Sequence, residues 1–281
     1  MKKIFCSVII LLMCMHINAQ ELYVSTEPAS NMAAGSIGVR LNTKIFSMKY
    51  ESVYAVRFDP EVMFGISKKL MVHINAYTSN MYQQHLRFEG TSLYAKYRFY
   101  SSDDIQTHFR MAAFSKISFI NNPQQLQVGN KFYNNDEIDL DGNNSGLLAG
   151  IVATQLLHKL ALSSSAAFEN RWNNLDASKL PAQSSKAVNY TLSAGYLLLP
   201  RVYTNYHQTN FNLYCEFLGS SSLDKKSYYI DAAPAVQFIF NSISRLDFSY
   251  RTQLFGNMQR LTNNNFLVRF EYNFLNVFKN R

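Results

Sequence analysis

Apolar and polar side chains alternate with a period of two over most of the sequence after residue 35. This is the pattern of extended strands, whose successive side chains point to opposite faces. In residues 36–50, for example, Ile37 and Leu41 share one face, whereas Arg40 and Lys44 share the other. The alternation therefore gives each segment one apolar and one polar face. It recurs most clearly in residues 107–119, 228–240 and 266–274.

The pattern predicts about twelve strands, and an even number is expected for a bacterial single-chain barrel. Most run about 9–13 residues, near the ~9–11 needed to cross a bilayer and longer than the ~5–6 of soluble strands. Connections alternate between short turns and long loops, although 51–57 and 200–208 fit this less well. The other predicted strands are 58–67, 70–79, 88–100, 145–156, 160–169, 187–199, 209–218 and 244–255.

These features predict an all-β fold, a closed antiparallel transmembrane β-barrel over residues 36–281, with apolar faces toward lipid and polar faces toward the lumen. Aromatic residues near the predicted strand ends, such as Tyr50 and Phe240, suit the membrane–water boundary. A soluble sandwich or propeller is the alternative. It would have to place the polar face in its core, and no blade-like repeat is present.

Composition agrees with this prediction. The chain is 47% hydrophobic, yet its mean hydropathy is only −0.15 and 16% of its residues are charged. Abundant aromatic residues argue against disorder, and the hydropathy argues against a helical membrane protein. The net charge of +8 is spread along the chain without a dense cluster, so no nucleic-acid partner is expected.

The first residues predict a signal peptide over residues 1–19 that is cleaved on export. Lys2 and Lys3 precede an apolar run that ends near Met15, and Ala19 supplies a small residue for cleavage. A lipoprotein anchor at Cys14 is disfavoured, because Cys14 lies inside the apolar run. Cleavage would leave Cys215 as the single cysteine, which excludes an intramolecular disulfide. Residues 20–35 are expected to form a periplasmic tail or a plug segment.

The sequence resembles Gram-negative outer-membrane β-barrels of the porin and small-solute channel kind, in particular the Bacteroidetes type. The resemblance covers the chain after the signal peptide and is architectural, without a catalytic motif. It implies location in the cell outer membrane, contact with outer-membrane lipid, and insertion by the barrel-assembly machinery. The residues after Phe278 depart from the aromatic end typical of such barrels. The segments that carry the resemblance are 199–204, 210–214, 233–238 and 266–278.

The polar face of the predicted strands collects charged residues that we expect to line the lumen. One interpretation is a charged ladder along a solute path, with a basic bias that favours anions. The alternative is a set of paired charges that fills a narrow barrel and holds it shut. Glu61 and Glu169 lie on the same face. The candidate lumen-lining residues are Arg40, Lys44, His73, Lys96, Arg98, His108, Arg110, Lys116, Glu216, Asp231, Arg245, Asp247, Arg251, Arg269 and Glu271.

Metal sites and catalytic groups are weakly indicated. The acidic segment 136–143 has oxygen ligands at alternate positions, but Leu148 stands where a calcium loop needs a bidentate Glu, so a solvated, flexible external loop is favoured. His73 and His108 are predicted to face inward and could approach one another, but no metal site is predicted. The segment 34–38 lacks the spacing of a serine-hydrolase elbow, so no enzyme is expected.

The predicted function is a passive outer-membrane channel or transporter for small polar or amphipathic solutes, selected by lumen charge and bore. It needs no cofactor. A non-conducting structural or interaction barrel, for example a surface or secretion-machine component, is the first alternative. An outer-membrane hydrolase is the second.

Overall fold

The structure is a computed structural model that describes residues 23–104, 107–123, 125–175, 184–202, 207–224 and 226–278. The predicted signal peptide lies outside these residues. No helix in these ranges is long and apolar enough to span a membrane. The strands are β1 (Ile37–Met48), β2 (Tyr54–Gly65), β3 (Leu70–Ser79), β4 (Arg87–Asp103), β5 (Thr107–Ile120), β6 (Gln125–Val128), β7 (Lys131–Asn134), β8 (Gly146–Leu157), β9 (Leu160–Arg171), β10 (Lys186–Leu199), β11 (Asn210–Ser222), β12 (Tyr228–Phe240), β13 (Ser244–Gly256) and β14 (Thr262–Phe274).

Twelve strands form a closed antiparallel barrel, which confirms the predicted fold class. Each strand pairs with its neighbours in sequence, and β1 pairs with β14 to close the ring. The exception is the hairpin β6–β7, which lies in the connection between β5 and β8 and forms a sheet of its own. Sequence analysis missed this hairpin because each of its strands is only four residues long.

The predicted alternation of faces matches the burial of side chains along the strands. Ile74 and Leu93 are about half exposed on the outer surface, whereas Gln237 and Asp247 are fully buried inside. The outer surface of the barrel is therefore apolar and its interior is polar, the reverse of a soluble protein and the arrangement that a lipid bilayer requires.

The two ends of the barrel differ in their connections. We call one the turn end, because it carries the tight turns β2–β3, β8–β9 and β12–β13 and the start of β1. Asn241 and Ser242 adopt positive φ angles of 52° and 57° in the β12–β13 turn, as the two central residues of a type I′ turn require. The opposite, loop end carries the long β5–β8 connection. There the hairpin β6–β7 buries Leu126 beside Met48 and Met81 and partly covers the mouth.

Lumen as candidate functional site

Residues 23–35, which precede β1, run from the lumen to the turn end of the barrel, and we call them the lumen segment. Glu216 on β11 binds its first residues through their backbone. Its Oε1 accepts from the amides of Val24 and Ser25, at 3.0 and 2.7 Å. Its Oε2 accepts from the amide and the hydroxyl of Thr26, at 2.9 and 2.7 Å. A buried carboxylate thus supplies the acceptors for three consecutive amides, which fixes this stretch against the wall.

The turn-end half of the lumen segment is held by three other strands. Lys96 on β4 donates from Nζ to the carbonyl oxygens of Pro28 and Ser30, at 2.5 and 2.8 Å. The amide of Ala29 donates to Thr154 Oγ1 on β8 at 2.9 Å. Arg110 on β5 donates from Nη1 to Ser30 Oγ at 2.8 Å. Contacts from β4, β5, β8 and β11 therefore hold the segment across the lumen.

Apolar contacts support the same position of the lumen segment. Tyr23 and Val24 are fully buried in a cluster with Tyr214 and with side chains from both sides of the barrel. The rings of Tyr23 and Tyr214 lie 5.5 Å apart and tilted. Tyr214 in turn lies over Gly195, where a Cβ atom would come within 2.3 Å of the ring. Glycine at position 195 is therefore needed for Tyr214 to reach the lumen segment.

Glu27 joins the lumen segment to a network of ion pairs at Arg40. The Arg40 guanidinium contacts Glu27 and Glu61 from Nη1, at 2.7 and 2.9 Å, and Glu271 from Nε at 2.7 Å. Glu61 also contacts His73 Nδ1 at 2.5 Å. Burial disfavours the charged form of Glu27, but Arg40 and then Lys96 outweigh it and hold the pKa of this carboxyl well below its usual value.

Residues 137–145, between β7 and β8, fold into the lumen from the loop end, and we call them the inner loop. Arg57 on β2 donates to the carbonyl oxygens of Asp141 and Gly142, at 2.9 and 3.3 Å, and to Asn143 Oδ1 at 2.6 Å. The Nε atom of Arg57 contacts Glu89 at 2.9 Å. Ile138 and Leu140 are buried. The expectation of a solvated, flexible external loop is therefore wrong, because a buried arginine binds the backbone of this segment.

The carboxylates of the inner loop are held mainly by basic side chains. Glu137 contacts Arg260 at 2.9 Å, and Asp141 contacts Lys116. Burial opposes ionisation of Glu137, but Arg260 and Arg251 together lower its pKa. Burial and then the neighbouring acids raise the pKa of Asp139. No group of three or more His, Cys, Asp or Glu side chains in the described ranges could hold a metal ion.

The structure brings most of the fifteen candidate residues together in the lumen. Arg251 contacts Asp231 at 2.6 Å, and Arg245 contacts Glu271 at 2.6 Å. Asp247 lies near Arg245 and Arg269, at 3.6 and 3.9 Å. The other candidates that form ion pairs or hydrogen bonds in the lumen are Arg40, Lys44, His73, Lys96, Arg110, Lys116 and Glu216. Sequence analysis identified these positions from the polar face of each strand alone.

Two candidates lie at the turn end instead. Arg98 donates from Nη2 to the carbonyl oxygen of Lys68 in the β2–β3 turn at 2.9 Å. His108 pairs with Asp103 at the start of β5. The expected approach of His73 to His108 is wrong. The partners of these histidines on β4 are nine residues apart, about 30 Å at the rise of an extended strand.

Several residues that make ion pairs in the lumen were missed by sequence analysis because they lie in predicted connections or in the N-terminal segment. Arg57 fell in the link 51–57, and Glu137 and Arg260 fell in loops expected to be external. Asp59 pairs with Lys44 at 2.8 Å and shares the face of Glu61, so the alternation could have found it. Nothing in the sequence marks Glu27 as a partner of Arg40.

A cavity of about 360 Å³ lies between the lumen segment and the inner loop, and we call it the chamber. Seven carboxylates and five lysine or arginine side chains line it, so the chamber does not have the predicted basic bias. Aromatic and aliphatic side chains line it too, among them Tyr94, Phe114 and Leu148. The lining acids are Glu27, Asp59, Glu61, Glu137, Asp139, Asp141 and Glu169; the lining bases are Arg40, Lys44, Lys116, Arg251 and Arg269.

Comparison with solved structures identifies the fold. The chain is similar to an outer-membrane channel from Pseudomonas putida F1, at 12% identity and a TM-score of 0.57, over 90% of this chain and 100% of that one. It is also similar to the KdgM porin, at 9% identity and a TM-score of 0.44, over 84% and 99% of the two chains. No family model matches the sequence, and no curated protein matches it. The fold is that of an outer-membrane β-barrel.

Proposed function

We propose that the protein is an outer-membrane channel for small polar or amphipathic solutes, whose path through the lumen is narrowed by the lumen segment and the inner loop. The observation that supports this proposal is the chamber, because a cavity of about 360 Å³ with charged, polar and apolar lining lies inside the barrel between these two elements. The turn end faces the periplasm and the loop end faces outward, as in barrels with short periplasmic turns. Outer-membrane lipid surrounds the apolar outer surface.

The contacts of the lumen segment support a closed resting state that can open. The segment is joined to the barrel wall by hydrogen bonds and ion pairs, whereas its covalent link to β1 lies at the turn end. It can therefore leave the lumen without any change in strand pairing. Selection in this proposal rests on charge and bore, and the protein supplies no chemical step and needs no cofactor.

Ion conductance of the purified barrel in a planar bilayer tests the proposal. The full chain is compared with a variant that lacks residues 23–33, the part of the lumen segment that enters the barrel. We expect small or brief currents from the full chain and larger, sustained currents from the deletion variant. Heat-modifiable gel migration of both proteins shows that each barrel is folded.

Two folded barrels that pass no current at any voltage would refute the channel. That result would favour the non-conducting structural barrel, for which the filled lumen is the supporting observation. Equal large currents from both proteins would show that the lumen segment does not close the path.

A further inference from the structure

One side of the chamber is formed by a continuous row of inward-facing residues. Tyr94 on β4 lies opposite Lys116 on β5, Lys116 lies opposite Leu148 on β8, and Leu148 lies opposite Glu169 on β9. All four line the chamber. Their backbones span three strand spacings, about 14 Å around the wall. An aromatic ring and a carboxylate thus lie at the two ends of one row.

Glu169 differs from the other carboxylates of the lumen. Its side chain is 1% exposed, yet no Lys, Arg or His in the described ranges forms an ion pair with it. Among the described residues its side chain accepts one hydrogen bond, from Asn189 Nδ2 to Oε2 at 2.6 Å. Burying a carboxylate without a cationic partner is costly, so a group that brings a positive charge would be stabilised here.

Asn189 presents a second acceptor beside this carboxylate. While its Nδ2 donates to Glu169, its own Oδ1 is buried and has no hydrogen-bond partner in the described part of the chain. Both residues line the chamber. Glu169 has one hydrogen-bond donor and Asn189 Oδ1 has none in the described part of the chain, so this pair fits a ligand with several N–H bonds, such as a protonated primary amine.

The other end of the row offers an apolar surface. The rings of Tyr94 and Phe114 are stacked with centroids 6.0 Å apart. Lys116, which pairs with Asp141, and then Leu148 lie between Tyr94 and Glu169 in the row. Aromatic and aliphatic side chains suit the apolar body of a ligand, and aromatic faces also attract cations. A chamber volume of about 360 Å³ lies in the range of small-molecule sites.

We propose that the chamber binds a small organic cation, a protonated amine with an apolar body. Its ammonium group donates to Glu169 and Asn189, and its apolar part lies against Leu148, Phe114 and Tyr94. Among the described residues, each of the other six lining carboxylates forms an ion pair, so Glu169 is the acid of the wall that a positive ligand can pair with, and an anion has no such partner. This inference rests on the proposed channel function, for which it names the class of solute.

Isothermal calorimetry on the detergent-solubilised full barrel at neutral pH tests the inference. The probes are benzylammonium, the uncharged benzyl alcohol, the anion benzoate, and Mg²⁺ as a metal ion. We expect benzylammonium to bind at least about tenfold more tightly than either organic probe, the usual effect of a charge-assisted hydrogen bond. Equal or tighter binding of benzyl alcohol, benzoate or Mg²⁺ would overturn the inference.

Two variants and a matched control locate the site. Glu169→Gln keeps the shape of the side chain and removes its charge, so benzylammonium affinity should fall about tenfold or more. Asn189→Leu removes the second acceptor. Its affinity for benzylammonium should also fall, which tests the site if the Glu169→Gln barrel does not fold. Glu51→Gln makes the same chemical change in the β1–β2 loop, outside the chamber lining, and should leave affinity unchanged. Unchanged affinity in a folded Glu169→Gln barrel would refute the site.

Conductance of the same preparations separates this inference from the proposed function. Current through the variant without residues 23–33, with no benzylammonium binding to the full chain, would overturn the amine site and leave the channel standing. Benzylammonium binding that Glu169→Gln abolishes, with no current from any variant, would overturn the channel and leave a binding barrel.

Discussion

Replacing Glu216 with alanine should release the lumen segment and open the proposed channel. Glu216 accepts hydrogen bonds from the amides of Val24, Ser25 and Thr26, and from the Thr26 hydroxyl. Within the strands its one hydrogen bond is with Ser193 Oγ, at 3.3 Å. The substitution therefore removes a major anchor of the segment and little that holds the barrel together.

The loss of docking free energy in Glu216→Ala follows from the number of hydrogen bonds that Glu216 accepts. A hydrogen bond to a charged group contributes about 1.5–3 kcal/mol, so three amides bound to Glu216 give at least about 4–5 kcal/mol for the docked segment. Water that enters the vacated space restores part of this, which leaves a loss of about 3 kcal/mol. The equilibrium between docked and released segment should then shift about 100-fold toward release.

Two measurements check the result. Hydrogen exchange followed by mass spectrometry should show faster exchange of the amides in residues 23–34, and conductance in a planar bilayer should rise in parallel. Glu216→Gln keeps one carbonyl acceptor and should give an intermediate effect, whereas Glu51→Ala, in the β1–β2 loop, should change neither readout. A folded Glu216→Ala barrel with unchanged exchange and unchanged conductance would refute the role assigned to Glu216.

Three other predictions follow from the ion pairs and the outer surface. In the docked state the pKa of Glu27 is lowered. Its contribution to docking is therefore complete above the pKa of a free Glu, about 4.3, and is lost as pH falls through the lower pKa of the docked state. Conductance should rise in buffer more acidic than about pH 4, and Glu27→Gln should reduce this rise. Arg57→Met leaves Glu89 buried without its basic partner and should destabilise the inner loop by about 3–5 kcal/mol. Amide exchange in residues 137–145 should become faster, and unchanged exchange there would contradict the anchoring role of Arg57. Ile74→Arg places a charge on the lipid-facing surface in the middle of β3 and should lower the free energy of unfolding in lipid by about 2–4 kcal/mol. Denaturant titration measures this change, and an unchanged unfolding midpoint would contradict a lipid-facing position of Ile74.

The barrel architecture could be predicted because the alternation of apolar and polar side chains marks each strand and its two faces. In β1 and β12 each lipid-facing residue is flanked by lumen-facing ones, so strand, face and approximate length follow from the sequence. The same alternation identified Arg40 and Asp231 as inward-facing. It could not show which strands bring their charges together, because register around a closed ring depends on every intervening pair.

The elements that fill the lumen could not be predicted, since neither has a periodic pattern. The lumen segment is irregular and is held through its backbone by Glu216 and Lys96, so its own side chains give no indication of its position. The inner loop has the composition of an exposed loop, and its burial depends on Arg57, more than 80 positions earlier in the sequence. Contacts between backbone and distant side chains leave little trace in a single sequence.

The pairing of β1 with β14 bears on assembly as well as on shape. The lumen segment immediately precedes β1, yet its anchors are supplied by β4, β8 and β11, which are distributed around the wall. We expect these anchors to surround the segment fully only in the closed ring, so that docking is completed after the first and last strands have paired.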